Sequence, residues 1–202
     1  MTTIAILGDT PLTFCHIPKT GGTSIEAWFY NNEYYLEADI NNFKILYIND
    51  HPRLETIQQT YSATANSPTM AVVRNPWSRA VSAYFYSHKH PRIWIHNKMT
   101  EIPPWDTFIA NIESYTHFDW YEMTTPQVDW IPNGVDFLLK TENLSNDFKV
   151  IQEMYGKPDQ PLPWVLQSEH TDYRLYYNDE QKAKVARIFE KDIDTFKYTF
   201  DN

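Results

Sequence analysis

The sequence predicts an α/β fold: a single P-loop-like domain with a central parallel sheet flanked by helices. Two observations carry this expectation. Short apolar runs alternate with amphipathic segments through the first half of the chain, the pattern of strands followed by crossover helices. Two of those runs also end in turns suited to opening a helix, one rich in glycine and one with proline at the first helical position. Length agrees: 202 residues with 42% hydrophobic content suffice for one sizeable core, so residues 1–202 read as one domain.

The elements follow in order. Leu12–Ile17 reads as a buried strand, Pro18–Gly22 as a turn, and Thr23 to Tyr34 as a helix. Phe43–Ile48 is a second strand and Arg53–Tyr61 a short helix. Thr69–Val73 is a third strand of small and apolar residues, and Trp77–Lys89 a helix opened by Asn75-Pro76. From His90 to Pro132 the chain is rich in Pro, Trp and Tyr, with one clear helix near Trp105–Ile112. Val135–Lys140 is another strand, and Asn143–Tyr155 a helix stopped by Gly156. Asn178 with Gln181 resembles a capping box that opens a last helix reaching Phe196.

Composition narrows the function classes. No apolar run is long enough to span a membrane, and the N-terminus lacks the basic start and apolar stretch of a secretory signal. A single cysteine, Cys15, forbids an internal disulfide, and no Cys/His spacing reads as a metal site, so a cytoplasmic setting is expected. Net charge is −9, and it is unevenly spread: residues 101–202 carry 9 basic and 19 acidic residues, a net of −10, while residues 1–100 carry 8 and 7, a net of +1. Such a surface argues against nucleic acid or a polyanion as partner. The near-neutral first half leaves room for a local anion site.

Two segments carry chemistry. In His16-Ile17-Pro18-Lys19-Thr20-Gly21-Gly22-Thr23-Ser24, paired glycines let the backbone approach a ligand. Free N–H groups and the helix dipole favour an anion at the helix start. Thr20, Thr23 and Ser24 add hydroxyl donors and Lys19 a mobile charge. The lysine precedes the glycines, so this is a phosphate cradle that departs from the common nucleotide-binding P-loop pattern. An ordinary strand–helix turn with a solvated lysine would look the same. In Arg74-Asn75-Pro76-Trp77-Ser78-Arg79-Ala80-Val81-Ser82, an arginine at a strand end and a helical serine suit a second phosphate. Arg74 paired with a surface carboxylate and Ser82 as a packing residue are the plain alternatives.

Together the segments PKTGGTS and RNPWSRAVSAY resemble the PAPS-dependent sulfotransferases, in particular their carbohydrate-sulfotransferase branch (PAPS being 3′-phosphoadenosine 5′-phosphosulfate). The likeness continues through FLLKTENL at 137–144, YRLYY at 173–177 and FEKDIDTFKY at 189–198. It implies that Lys19, Thr20, Gly21, Gly22, Thr23 and Ser24 hold the 5′-phosphosulfate of PAPS, and that Arg74 and Ser82 hold its 3′-phosphate, with PAP as product. Relatives often place a basic residue in a loop over the donor. Here the comparable stretch, Val165 to His170, offers His170 and nearby Arg174.

Sulfuryl transfer asks for in-line geometry and charge stabilisation. Lys19 suits the bridging oxygen, with the amides of Gly21 and Gly22 as fixed dipoles. His51, after the second strand, is the first choice of base for the acceptor hydroxyl, on its strand-end place and on the family resemblance. A turn-capping role for His51 stays open, and Glu26 and Asp50 are alternative bases. Trp94, Trp105, Trp120 and Trp130, with Tyr115 and Tyr121, are candidate platforms for sugar rings, although tryptophan more often belongs to the core. The acidic second half favours a neutral sugar, glycolipid, small alcohol or phenol as acceptor. A P-loop-type ATP-dependent kinase and a non-catalytic nucleotide-binding module are the alternatives.

Overall fold

The computed structural model describes residues 2–6, 10–32, 45–49, 51–90, 101–115, 122–158, 160–165 and 170–202. The chain divides into two compact units: Met1–Val73 with Asp129–Leu166, and Arg74–Val128 with Gln167–Asn202.

The first unit holds the sheet. Its strands are β1 (Thr2–Ile6), β2 (Leu12–Cys15), β3 (Ile45–Asn49), β4 (Thr69–Val73) and β5 (Phe137–Lys140), in the order β3-β1-β2-β4-β5. The expected parallel sheet is the three-stranded part: β2 pairs with β4 through Phe14–Met70, and β4 with β5 from Met70–Phe137 to Val73–Lys140. Strand β1 was not foreseen, and it is antiparallel to both neighbours. The link from Ile6 to Leu12 is far too short for the crossover that parallel neighbours need, so β1 and β2 have to run in opposite directions.

Alternation along the strands sorts the core. Leu12, Phe14, Met70, Val72 and Leu139 cluster with Ile25, Trp28 and Phe29 of α1 (Gly22–Asn31). Those helical positions have the spacing of one buried face. Leu144 of α5 (Leu144–Asp147), Phe148, and Ile151 of α6 (Lys149–Met154) complete the cluster. The alternate strand residues Thr13, Cys15, Ala71 and Val73 are buried as well. There the Cys15 thiol meets the carbonyls of Pro52 and Trp130, and Leu54, first in α2 (Leu54–Thr60), donates its N–H to Trp130. Burial pushes the Cys15 thiol up to about 12, so it stays protonated as a core residue.

The single helix expected over Asn143–Tyr155 is broken between α5 and α6. Phe148 is fully buried at the break, and Ile151 bonds back to Phe148, three residues earlier, instead of four. Gly156 ends the segment at φ +65°, with the Lys157 N–H reaching Gln152, as the stop signal required.

The second unit is built on α3 (Pro76–Lys89), α4 (Trp105–Ala110), α7 (Asp179–Ile188) and α8 (Glu190–Phe196). Trp77, Ala80, Ala83 and Tyr84 of α3 pack with Phe108, Ile109, Ile112, Val185 and Phe189. The Asn178–Gln181 capping box forms as expected. The helix it opens is interrupted at Phe189, which is buried, instead of running unbroken to Phe196. Among the described residues no helix is long and apolar enough to cross a membrane.

Candidate functional site

The carboxyl ends of β2, β4 and β5 open at one edge of the sheet, where parallel sheets collect ligands. The turn after β2 is shaped by two left-handed residues, Lys19 at φ +69° and Gly21 at φ +89°. A lysine in that region is uncommon and carries local strain, which is most often kept where function needs the geometry. Gly21 caps α1 with no side-chain bond to the first-turn amides, so the start of the helix is not closed by its own cap. A helix start of this kind is suited to an anion.

Three neighbours hold the turn. The Thr20 hydroxyl donates to the Ile17 carbonyl (2.8 Å), so it is committed to the backbone. The Thr141 hydroxyl, first after β5, lies 2.6 Å from the Thr20 carbonyl and 3.1 Å from that of Val73. One hydroxyl thereby ties the turn to the end of β4. The Ser24 hydroxyl accepts the Val165 N–H at 3.4 Å. Gly22 has its own reason to be glycine: a Cβ there would stand 2.3 Å from Cδ2 of the His16 ring. The close approach expected toward a ligand is, at this side of Gly22, an approach to a histidine.

His16 is buried at the end of β2 and its Nδ1 lies 2.7 Å from the Glu26 carboxylate of α1. Its ring stacks on Phe14 and meets His51 edge-on, with centroids 5.0 Å apart. His51 is half-buried, and its carbonyl accepts the Trp130 indole N–H at 3.1 Å. Glu26, an alternative base in the sequence reading, and His16 therefore form a pair beside His51. The spacing of ten residues gives that pair no sequence signal. Asp50, the other alternative base, lies outside the described residues.

In the second unit, Arg74 is the first residue after β4. Its Nε donates to the Ser78 hydroxyl at 2.9 Å, one turn into α3. Asn75 caps that helix, taking the N–H groups of Trp77 and Ser78 on its side-chain oxygen. The Asn75 amide then donates to the carbonyls of Thr199 (2.8 Å) and Asn202. Ser82 is buried on α3. Gln127 bonds both the N–H and the C=O of Arg74, each at 2.8 Å. Nothing in the local sequence pointed to Gln127, Ser78 or Thr141.

Of the stacking candidates, Trp130 and Tyr115 are buried and Trp105 is half-buried against Tyr84, Phe108 and Tyr177, so all three belong to cores. Trp94, Trp120 and Tyr121 lie outside the described residues, as do residues 166–169 of the stretch compared with the donor loop. Arg174 pairs with Asp172 at 2.5 Å on the surface, and His170 Nδ1 sits 2.7 Å from the Thr171 carbonyl.

A family profile described as "Sulfotransferase family" matches residues 2–199. Among solved structures, the chain is similar to the crystal structure of a sulfotransferase from Alicyclobacillus acidocaldarius. Identity is 16% and the TM-score 0.41, over 71% of this chain and 62% of that one, less than two thirds of that protein's length. No curated protein matches the sequence.

Proposed function

The chain belongs to the sulfotransferase family, and we propose that it moves the sulfuryl group of PAPS onto a hydroxyl acceptor, releasing PAP. The observation that carries this reading is the turn after β2. It combines a left-handed Lys19, a left-handed Gly21 and a helix start without a side-chain cap, a set of features that fits the 5′-phosphosulfate. Arg74 and Ser82 are assigned the 3′-phosphate, Arg74 being anchored through Ser78. Bound PAPS supplies an activated sulfuryl group with PAP as leaving group.

The residues of the chain do the rest. Lys19 places positive charge beside the bridging oxygen, where negative charge grows as the S–O bond breaks. The amides of Gly21 and Gly22 add fixed dipoles. Thr23 and Ser24 line the same turn, while Thr20 supports it through its hydroxyl bond to Ile17. His51 takes the proton of the acceptor hydroxyl, and the Glu26–His16 pair holds a ring against it. The acceptor is a neutral sugar, glycolipid or small hydroxyl compound, in keeping with the acidic second half of the chain. A reducing, cytoplasmic setting fits the lone buried thiol.

Calorimetry and labelled-sulfate transfer test the reading together. PAP should bind and raise Tm, whereas ATP with magnesium should not. His51→Ala should keep PAP affinity near wild type yet transfer sulfate about 10²–10⁴-fold more slowly. Transfer at the normal rate would remove His51 from the mechanism, and absence of PAP binding by the wild type would remove PAPS.

A further inference from the structure

Strand pairing stops one residue short of Arg74: the β4–β5 ladder ends at Val73–Lys140. Gln127 continues the pairing with a side chain. Its Oε1 accepts the Arg74 N–H and its Nε2 donates to the Arg74 C=O, both at 2.8 Å, so the carboxamide meets the backbone as a neighbouring strand would. The orientation of the amide is forced. Turned over, it would set N–H against N–H and C=O against C=O.

Gln127 is itself held. It is fully buried, and its second Nε2 proton points at Asp192 Oδ2 of α8, 3.2 Å away. Asp192, also fully buried, accepts the backbone N–H groups of Gln127 (2.8 Å) and Val128 (2.9 Å). Arg79 of α3, 2% exposed, grips the same segment from its other end, donating to the carbonyls of Thr125 (2.7 Å) and Glu122 (3.0 Å). Residues 122–128 are therefore clamped by a buried cation and a buried anion, and they deliver one carboxamide to one backbone position.

Stability alone does not account for this arrangement. Burying charge is costly, and well-packed apolar residues usually serve a core as well or better. What a satisfied polar network adds is a unique conformation. Here the conformation it fixes is that of the residue assigned to the 3′-phosphate. Small displacements of a binding group are expensive, so a rigid main chain at Arg74 has a purpose that the core does not.

We propose that Gln127, held in place by Asp192, is a positioning residue that fixes the backbone of Arg74 so that its guanidinium is preformed for the 3′-phosphate of the donor. The proposal rests on the donor-site reading above. It predicts an effect on ligands that carry a 3′-phosphate and none on those that lack it.

The test uses the full chain with Gln127→Met, which keeps volume and loses both bonds, and with Arg74→Ala. Calorimetry compares PAP with adenosine 5′-phosphate, which differs only in lacking the 3′-phosphate. Gln127→Met should weaken PAP about tenfold and leave adenosine 5′-phosphate within about twofold, a tenfold change being 1.4 kcal/mol. Added to Arg74→Ala, it should cost nothing more in PAP affinity, because the two act as one unit. Amide exchange at Arg74 should accelerate in Gln127→Met. Asp192→Asn, a milder change, should show the same selectivity at about threefold. Equal losses for both nucleotides, or a full further loss on the Arg74→Ala background, would mean that Gln127 only holds the fold. If Arg74→Ala weakens PAP but Gln127→Met does not, the positioning role is wrong and the donor site stands. If Arg74→Ala itself leaves PAP affinity intact, the 3′-phosphate assignment falls, and with it the purpose given to the clamp.

Discussion

The turn after β2 and the turn after β4 both lead from a buried parallel strand into a helix, yet they are held in opposite ways. The first relies on what is missing: no side-chain cap at Gly21, no Cβ at Gly22 where the His16 ring packs, and positive φ at Lys19 and Gly21. The second relies on added polar groups: Asn75 capping α3, Ser78 on the Arg74 Nε, and Gln127 on the Arg74 backbone. An open helix start can meet an anion with its own amides, whereas a capped one has to meet it with side chains. The contrast fits one turn that binds through its backbone and another that binds through an anchored arginine.

The largest effect is expected at Lys19. Lys19→Gly removes the ammonium but suits a backbone at φ +69°, so the fold should be at least as stable while kcat drops about 10²–10³-fold. Urea denaturation and transfer assays on the same preparation check both halves. An unchanged kcat would assign the left-handed lysine to turn geometry alone.

The glycine and the cap sharpen the comparison next. Gly22→Ala pushes a methyl group into the His16 ring and should cost about 1–3 kcal/mol by overpacking. Asn75→Ala leaves room but opens the start of α3, at about 1–2 kcal/mol. If the first turn is the backbone site, Gly22→Ala should also weaken adenosine 5′-phosphate. Asn75→Ala should affect PAP more than the monophosphate. The reverse pattern would exchange the roles given to the two turns.

Thr141 offers a smaller effect. Thr141→Val keeps the shape and removes the hydroxyl shared between the Thr20 and Val73 carbonyls, at about 1 kcal/mol. Faster amide exchange around Gly21 should accompany the loss. Unaltered exchange would show that the glycines hold the turn without help from β5.

The smallest effect is a pH dependence. Burial raises the Asp192 carboxyl above its usual 3.8, opposed by the N–H groups of Gln127 and Val128 and by the Arg79 charge. The folded chain therefore holds this proton more tightly than the unfolded chain. The stability from this group is full below the unfolded value and is lost as pH rises through the raised folded one. The stability difference between wild type and Asp192→Asn should accordingly decline upward from about pH 4. A flat difference would mean that the folded carboxyl titrates at its ordinary value.

Much of this protein could be read from local signals. Alternating apolar runs marked β2 and β4, proline marked the start of α3, Gly156 marked a helix stop, and Asn178 with Gln181 marked another start. Each depends on forces acting within a few residues, and such forces leave a pattern in the chain. The Pro18–Gly22 turn was legible for the same reason. Reading β1 required knowing which strand it would pair with, and the breaks at Phe148 and Phe189 came from aromatic rings drawn into cores that form only on folding.

The sequence by itself determined the two turns, their order and the residue types that each of them carries. Tertiary structure decided what holds them. Gln127 reaches Arg74 across 53 positions and Asp192 reaches Gln127 across another 65. Glu26 meets His16 only because α1 folds back along β2, and Thr141 meets the Lys19 turn only because β5 pairs beside β4. A hydrogen bond between distant residues leaves no periodicity and needs no special neighbour in the chain. It exists only once the backbone brings donor and acceptor to about 3 Å.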